Sequence, residues 1–140
     1  MKTTLLIAVV LITAFLLSEQ WKGSGASAQA EPTTPATKAL LVQRVSALRE
    51  IEDATRQRQS TGAGPIELHE AVIARLGAEL ELAESKAERL ALLEARVKEA
   101  QGIEAIILKK VSVGVAAQID VLQARVRRLD LEIAHARENG

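Results

Sequence analysis

The sequence predicts an all-α protein of elongated antiparallel coiled-coil hairpins, with one long central helix flanked by two shorter ones. Three observations predict it. Within KKVSVGVAAQIDVLQARVRRLDLEIAHAR, residues 109–137, the side chains Ile119, Leu122, Val126, Leu129, Ile133 and Ala136 recur at alternating steps of three and four. That is the a/d seam of a coiled coil, sustained over about two and a half heptads. From Glu31 onward there is no aromatic residue and no methionine, so the core is built of Leu, Ile, Val and Ala. Rounded globules rely on large aromatic side chains, whereas a coiled-coil seam does without them. Thirdly, glycine-bearing breaks at 60–65 and 112–118 divide the chain into segments of helical period.

Residues 1–30 read as a signal peptide. Lys2 gives a minimal positive start, and Leu5 to Leu17 form an apolar run of thirteen. As a helix that run spans roughly 20 Å, short of the roughly 30 Å hydrocarbon core. Ala28-Gln29-Ala30 supplies the small-x-small pattern of a cleavage site, placing the mature start at Glu31. Retention of the leader as an anchor is the alternative. The absence of cysteine excludes a lipid-modified start, a disulfide framework and a thiolate metal site. The chain is expected to be exported, to the periplasm or outer-membrane surface of a Gram-negative-type envelope.

Residues 31–37, with Pro32, Pro35 and three threonines, read as a linker. The helical domain follows over 38–140. Its first helix is expected at about 38–59, with Leu41, Val45, Leu48 and Ile51 as its stripe. Ser60 to Pro65 ends it, and Pro65 suits an early position of the next helix. A single long helix is expected from Ile66 to Val111, with no proline in it and only Gly77 and Gly102 to weaken it. Its seam runs through Ile73, Leu76, Leu80, Ala83, Ala87 and Leu90, then continues one step early from Leu93. Such a slip overwinds a supercoil rather than ending a helix. The third helix is expected at about 119–138, with Asp120 in its first turn facing the positive end of the helix dipole.

An internal repeat appears at an offset of 53, aligning Glu67 with Asp120, Ala71 with Ala124, Arg75 with Arg128, Leu76 with Leu129, Glu79 with Glu132 and Ala83 with Ala136. Each member follows a glycine-containing break. The helix lengths place both short helices antiparallel to the long one, meeting near its centre around residues 89–92.

Catalysis has little to use. His69 and His135 stand alone, Ser112 has no base beside it, and the glutamates from Glu67 to Glu104 alternate with Lys and Arg as on a solvated helix face. No enzyme, cofactor or metal site is expected. With 18 Lys plus Arg against 18 Asp plus Glu, no field for collecting nucleic acid is expected either. Arg125, Arg127 and Arg128 read as a flank charge network. Val113 and Val115 border Gly114 at an exposed turn, and apolar groups at a tip suit a partner surface.

The run VSVGVAAQIDVLQAR resembles the periplasmic tip of the α-helical hairpin in TolC-type outer-membrane efflux proteins. The resemblance rests on Val113-Gly114, Asp120-Val121 and Ala124-Arg125, and covers roughly a fifth of the chain. It implies a homo-oligomer, most simply a trimer, whose tip residues Val113, Gly114, Val115 and Asp120 dock a periplasmic adaptor protein. The seam of Ile119, Leu122, Val126, Leu129 and Ile133 would join the copies, so that a charge at Leu129 would unfold the third helix and reduce the assembly together. No stretch after Glu31 shows the alternating strands of a membrane barrel. Two functions follow: an efflux-associated component, or a structural coiled-coil scaffold of the periplasm or cell surface with no transport role.

Overall fold

The computed structural model describes residues 34–62 and 64–140. The expected signal peptide, its cleavage site and the first three linker residues lie outside them. The described chain is helical throughout, with α1 (Pro35–Gln59), α2 (Pro65–Leu80), α3 (Lys86–Ser112) and α4 (Gln118–Asn139). Among the described residues, no helix is long and apolar enough to cross a membrane.

Helix α1 starts earlier than expected, within the assigned linker. Thr34 caps it, its Oγ1 accepting from the Thr37 N–H at 3.2 Å, and Pro35 takes the first helical position. At Gly64 no side chain caps α2, and Pro65 opens it instead, as the sequence suggests.

The expected single helix over 66–111 is corrected to two. Helix α2 ends at Leu80, and the chain reverses through Glu81–Ser85. The Leu82 N–H donates to the Glu79 carbonyl at 3.0 Å, tightening the last turn. Ser85 then starts α3: its Oγ accepts from the Glu88 N–H at 3.1 Å, while the Glu88 carboxylate accepts from the Glu84 N–H at 3.2 Å. This is the reciprocal logic of a capping box, and it starts a helix without any glycine or proline.

Folding the long segment in half changes the architecture. The helices pack in chain order, α1 on α2, α2 on α3 and α3 on α4. Ion pairs show that each pair is antiparallel. Between α1 and α2, Lys38 meets Glu84, Arg44 meets Glu81, Arg49 meets Glu79 and Glu52 meets Arg75. Between α2 and α3, His69 reaches Glu99, and further along α2 Gly77 lies against Arg96. Between α3 and α4, Arg89 meets Glu138, Lys86 donates to the Asn139 carbonyl, and Glu104 holds Arg125 and Arg128. The start of α1 and the end of α4 therefore converge on Glu84–Lys86 rather than on 89–92. Both glycine-bearing tips come to the other end, where Ile66 and Val115 line one cavity of about 410 Å³.

The core is thin and aliphatic. Ile73, Ala100, Ile103, Ala124 and Leu131 form one buried cluster across α2, α3 and α4, with Ile66, Val97 and Ile107 against it. Helix α1 adds Val45 with two polar residues, Glu52 and Thr55. Gly102 permits a close approach: a Cβ there would stand 2.8 Å from His69 Cε1.

The repeat is structural, a duplicated helical hairpin. In the first hairpin, Arg75 donates to buried Glu52 at 2.5 Å and to Glu79, one turn along, at 2.8 Å. In the second, Arg128 donates to buried Glu104 at 2.7 Å and to Glu132, one turn along, at 2.5 Å. Arg56 completes the first carboxylate and Arg125 the second. Gly62 and Gly114, at the two tips, are the described residues of positive φ, at 119° and 73°. The offset is 52 before the tips and 53 after them, so the second tip is one residue longer. The reversal at Glu81–Ser85 is the joint between the copies.

Candidate functional site

Two surfaces carry the residues singled out in the sequence, the tip between α3 and α4 and the outer face of α4. The tip is built by a helix ending of definite geometry. The Val115 N–H donates to the Lys110 carbonyl at 2.8 Å and the Gly114 N–H to the Val111 carbonyl at 3.0 Å. These are the two bonds of a Schellman motif, with Gly114 at the position that needs positive φ. No heavy atom lies within 4 Å of a Cβ built on Gly114, so the backbone conformation, not space, selects glycine there.

The motif turns its two valines outward. Val113 is 67% exposed and Val115 73%. Asp120 is half-buried, and its carboxylate accepts from the Ala117 N–H at 2.8 Å, tying down the start of α4. Of the four tip residues, Asp120 and Gly114 shape the turn, and the valines are the groups presented to solvent. The adjoining cavity is lined by Ile66, Ile103, Ile107 and Val115 together with Lys110 and Asp120.

Helix α4 has two apolar faces, and the one that packs is not the one the heptads mark. Val121, Ala124 and Leu131 are buried against α3, and Arg128 lies between them, paired to Glu104. The residues Ile119, Leu122, Val126, Leu129 and Ile133 lie on the opposite face, each 42% to 57% exposed. Within one chain, therefore, the expected seam joins no helix. The expectation that a charge at Leu129 unfolds α4 is corrected accordingly, because that side chain is not part of the chain's own core.

The three arginines do form a charge network, but with partners on other helices. Arg125 and Arg128 hold Glu104 of α3, and Arg127 reaches Glu70 of α2 at 3.0 Å. The Glu104 carboxyl is held below its ordinary value, first by the hydrogen bond from Arg128 and then by that from Arg125. Arg96 of α3 is different. Burial lowers its pKa, the nearby Arg127 charge adds to this, and its Nε has no hydrogen-bond partner.

The histidines stay apart. His69 lies half-buried between α2 and α3, its Nδ1 donating to Glu99 at 2.6 Å, while His135 sits in a shallow groove with Glu132 and Gln101. Among the described residues, no group of three or more His, Asp or Glu is placed to hold a metal ion.

Comparison with known proteins returned no matching family model, curated protein or solved structure.

Proposed function

We propose that this chain is an exported helical assembly module of the cell envelope, acting by binding rather than by catalysis. It self-associates through the outer face of α4 and presents the Val113–Val115 tip to a second protein. One observation carries this reading: the five aliphatic side chains of the α4 heptad pattern form one continuous stripe on the face turned away from α3, each of them exposed. A soluble chain rarely leaves such a stripe in water, because contiguous apolar surface of this kind marks an interaction site. An assembly of three copies, the number the TolC-type resemblance implies, belongs to this proposal.

The efflux-associated role is the narrower form of the same reading. What supports it is the tip, where a rigid Schellman turn holds two valines in solvent. A periplasmic adaptor protein is the partner it would take. The purified chain is tested for binding to such an adaptor beside its Val113→Asp/Val115→Asp variant. Binding by the native chain alone supports docking through the tip, since the interface would have to bury unpaired carboxylates. Equal behaviour of the two proteins removes the efflux role and leaves the scaffold.

A further inference from the structure

The duplicated hairpin indicates what covers the α4 stripe. At an offset of 53, the counterparts of Leu122, Val126 and Leu129 in α2 are His69, Ile73 and Leu76. Of these, Ile73 is buried in one cluster with Ala100 and Ile103 of α3, His69 lies against Gly102 and Glu99 of α3, and Leu76, one turn along from Ile73, is buried. In α4 the same positions are exposed, and no described helix packs on them.

Helix α1 shows the converse. Helix α3 receives α2 through Arg96, Glu99, Gly102 and Ile103, and at an offset of 52 their counterparts in α1 are Arg44, Ala47, Glu50 and Ile51. Ile51 is exposed, as is Leu40, the counterpart of Leu92. No described helix precedes α1. Helices α1 and α4 thus each carry one half of an interface that α2 and α3 complete among the described residues.

We infer that α4 of one copy packs antiparallel on α1 of a second copy, repeating the α2–α3 interface between molecules. Charge agrees with this pairing. A Cβ at Gly77 would stand 3.4 Å from the Arg96 guanidinium; at the matching positions α4 carries Asp130 and α1 carries Arg44, an acid opposite a base that also donates to Glu81 of its own chain at 2.7 Å and is still 56% exposed. Where His69 meets Glu99, the intermolecular contact brings Leu122 against Ala47. The interface is heterologous, so each added copy leaves one α1 face and one α4 face free, and assembly continues until a ring closes or a filament forms. This inference rests on the proposed self-association and specifies its geometry.

Because the chain contains no cysteine, disulfide trapping tests it directly. Leu122→Cys and Glu50→Cys are placed on exposed positions that the α2–α3 template brings together. After mild oxidation of the full chain, an equimolar mixture of the two single variants should give a covalent dimer that neither gives alone. The double variant should give a ladder of multimers. Asp130→Arg should abolish the ladder, and adding Arg44→Asp should restore it. A dimer from Leu122→Cys alone would overturn the inference in favour of α4 pairing with α4. A disulfide within one chain would overturn it in favour of internal closure. Absence of any cross-link in a chain that sediments as an oligomer would overturn this interface and leave self-association standing. Sedimentation as a monomer would overturn both.

Discussion

Arg128 donates its Nε to the Glu104 carboxylate at 2.7 Å, and this pair seats α4 on α3 from within a face otherwise made of Val121, Ala124 and Leu131. Glu104 is almost wholly buried, so its charge depends on Arg125 and Arg128 for compensation. Arg128→Ala should therefore destabilise the chain in urea denaturation, and by more than Arg127→Ala, most of the loss being the penalty of a less well paired buried carboxylate. Arg127→Ala breaks only the exposed pair with Glu70 and should cost about 0–1 kcal/mol. Equal costs would mean that the buried pair does not seat the helix.

The same carboxylates set a pH dependence. Arg128 and then Arg125 lower the pKa of Glu104 in the folded state; Glu79, although burial opposes it, is lowered by Arg49 and Arg75. A depressed folded pKa contributes stability that is fully present above the ordinary carboxylate value of 4.5 and is lost as pH falls through the depressed one. The melting temperature should hold from neutral pH down to about 4.5 and drop as pH falls from there through the depressed values. The drop should be smaller in Glu104→Gln. A melting temperature that does not change through this range would contradict the assignment.

Much of the fold is legible in the sequence, and the gaps have physical reasons. Pro35, Pro65 and the glycines at 62 and 114 mark real helix ends, since each restricts or frees the backbone where it stands. The reversal at Glu81–Ser85 contains neither glycine nor proline, and the hydrophobic seam runs across it unbroken. The available signal was Ser85 followed three residues later by Glu88, a cap that competes with helix continuation. In α4 the heptad pattern picks out the outer face. The packed face is hidden from hydropathy because Arg128, the most polar residue type, is half of its core contact. The tip is legible because its bonds are local; which α4 face meets α3 depends on Glu104, 24 residues away.

Gly114 and Gly102 are required for different reasons, which substitution should separate. Gly114→Val forces a β-branched residue to φ 73° and should cost about 1–2 kcal/mol. Gly102→Ala offers about 1 kcal/mol of helix propensity, but the new methyl meets the His69 ring that Glu99 holds in place. The clash should cancel that gain, and His69→Ala in the same chain should recover it. A Gly102→Ala chain more stable than the native one would show that the ring moves freely aside.

The two faces of α4 should respond oppositely to truncation. Leu131→Ala removes a buried side chain and should cost about 2–3 kcal/mol. Leu129→Ala, measured at a concentration where the chain is monomeric, should stay within about 0.5 kcal/mol of native. A large cost at Leu129 in the monomer would place the outer stripe in the chain's own core.

Sedimentation equilibrium of the full 15.0 kDa chain beside its Leu129→Asp variant tests the central claim most directly. The native chain should sediment as multiples of that mass, and the variant as a single copy with the same helical content by circular dichroism. A native chain that remains a single copy at every concentration, no different from the variant, would contradict the reading of α4 as an assembly face.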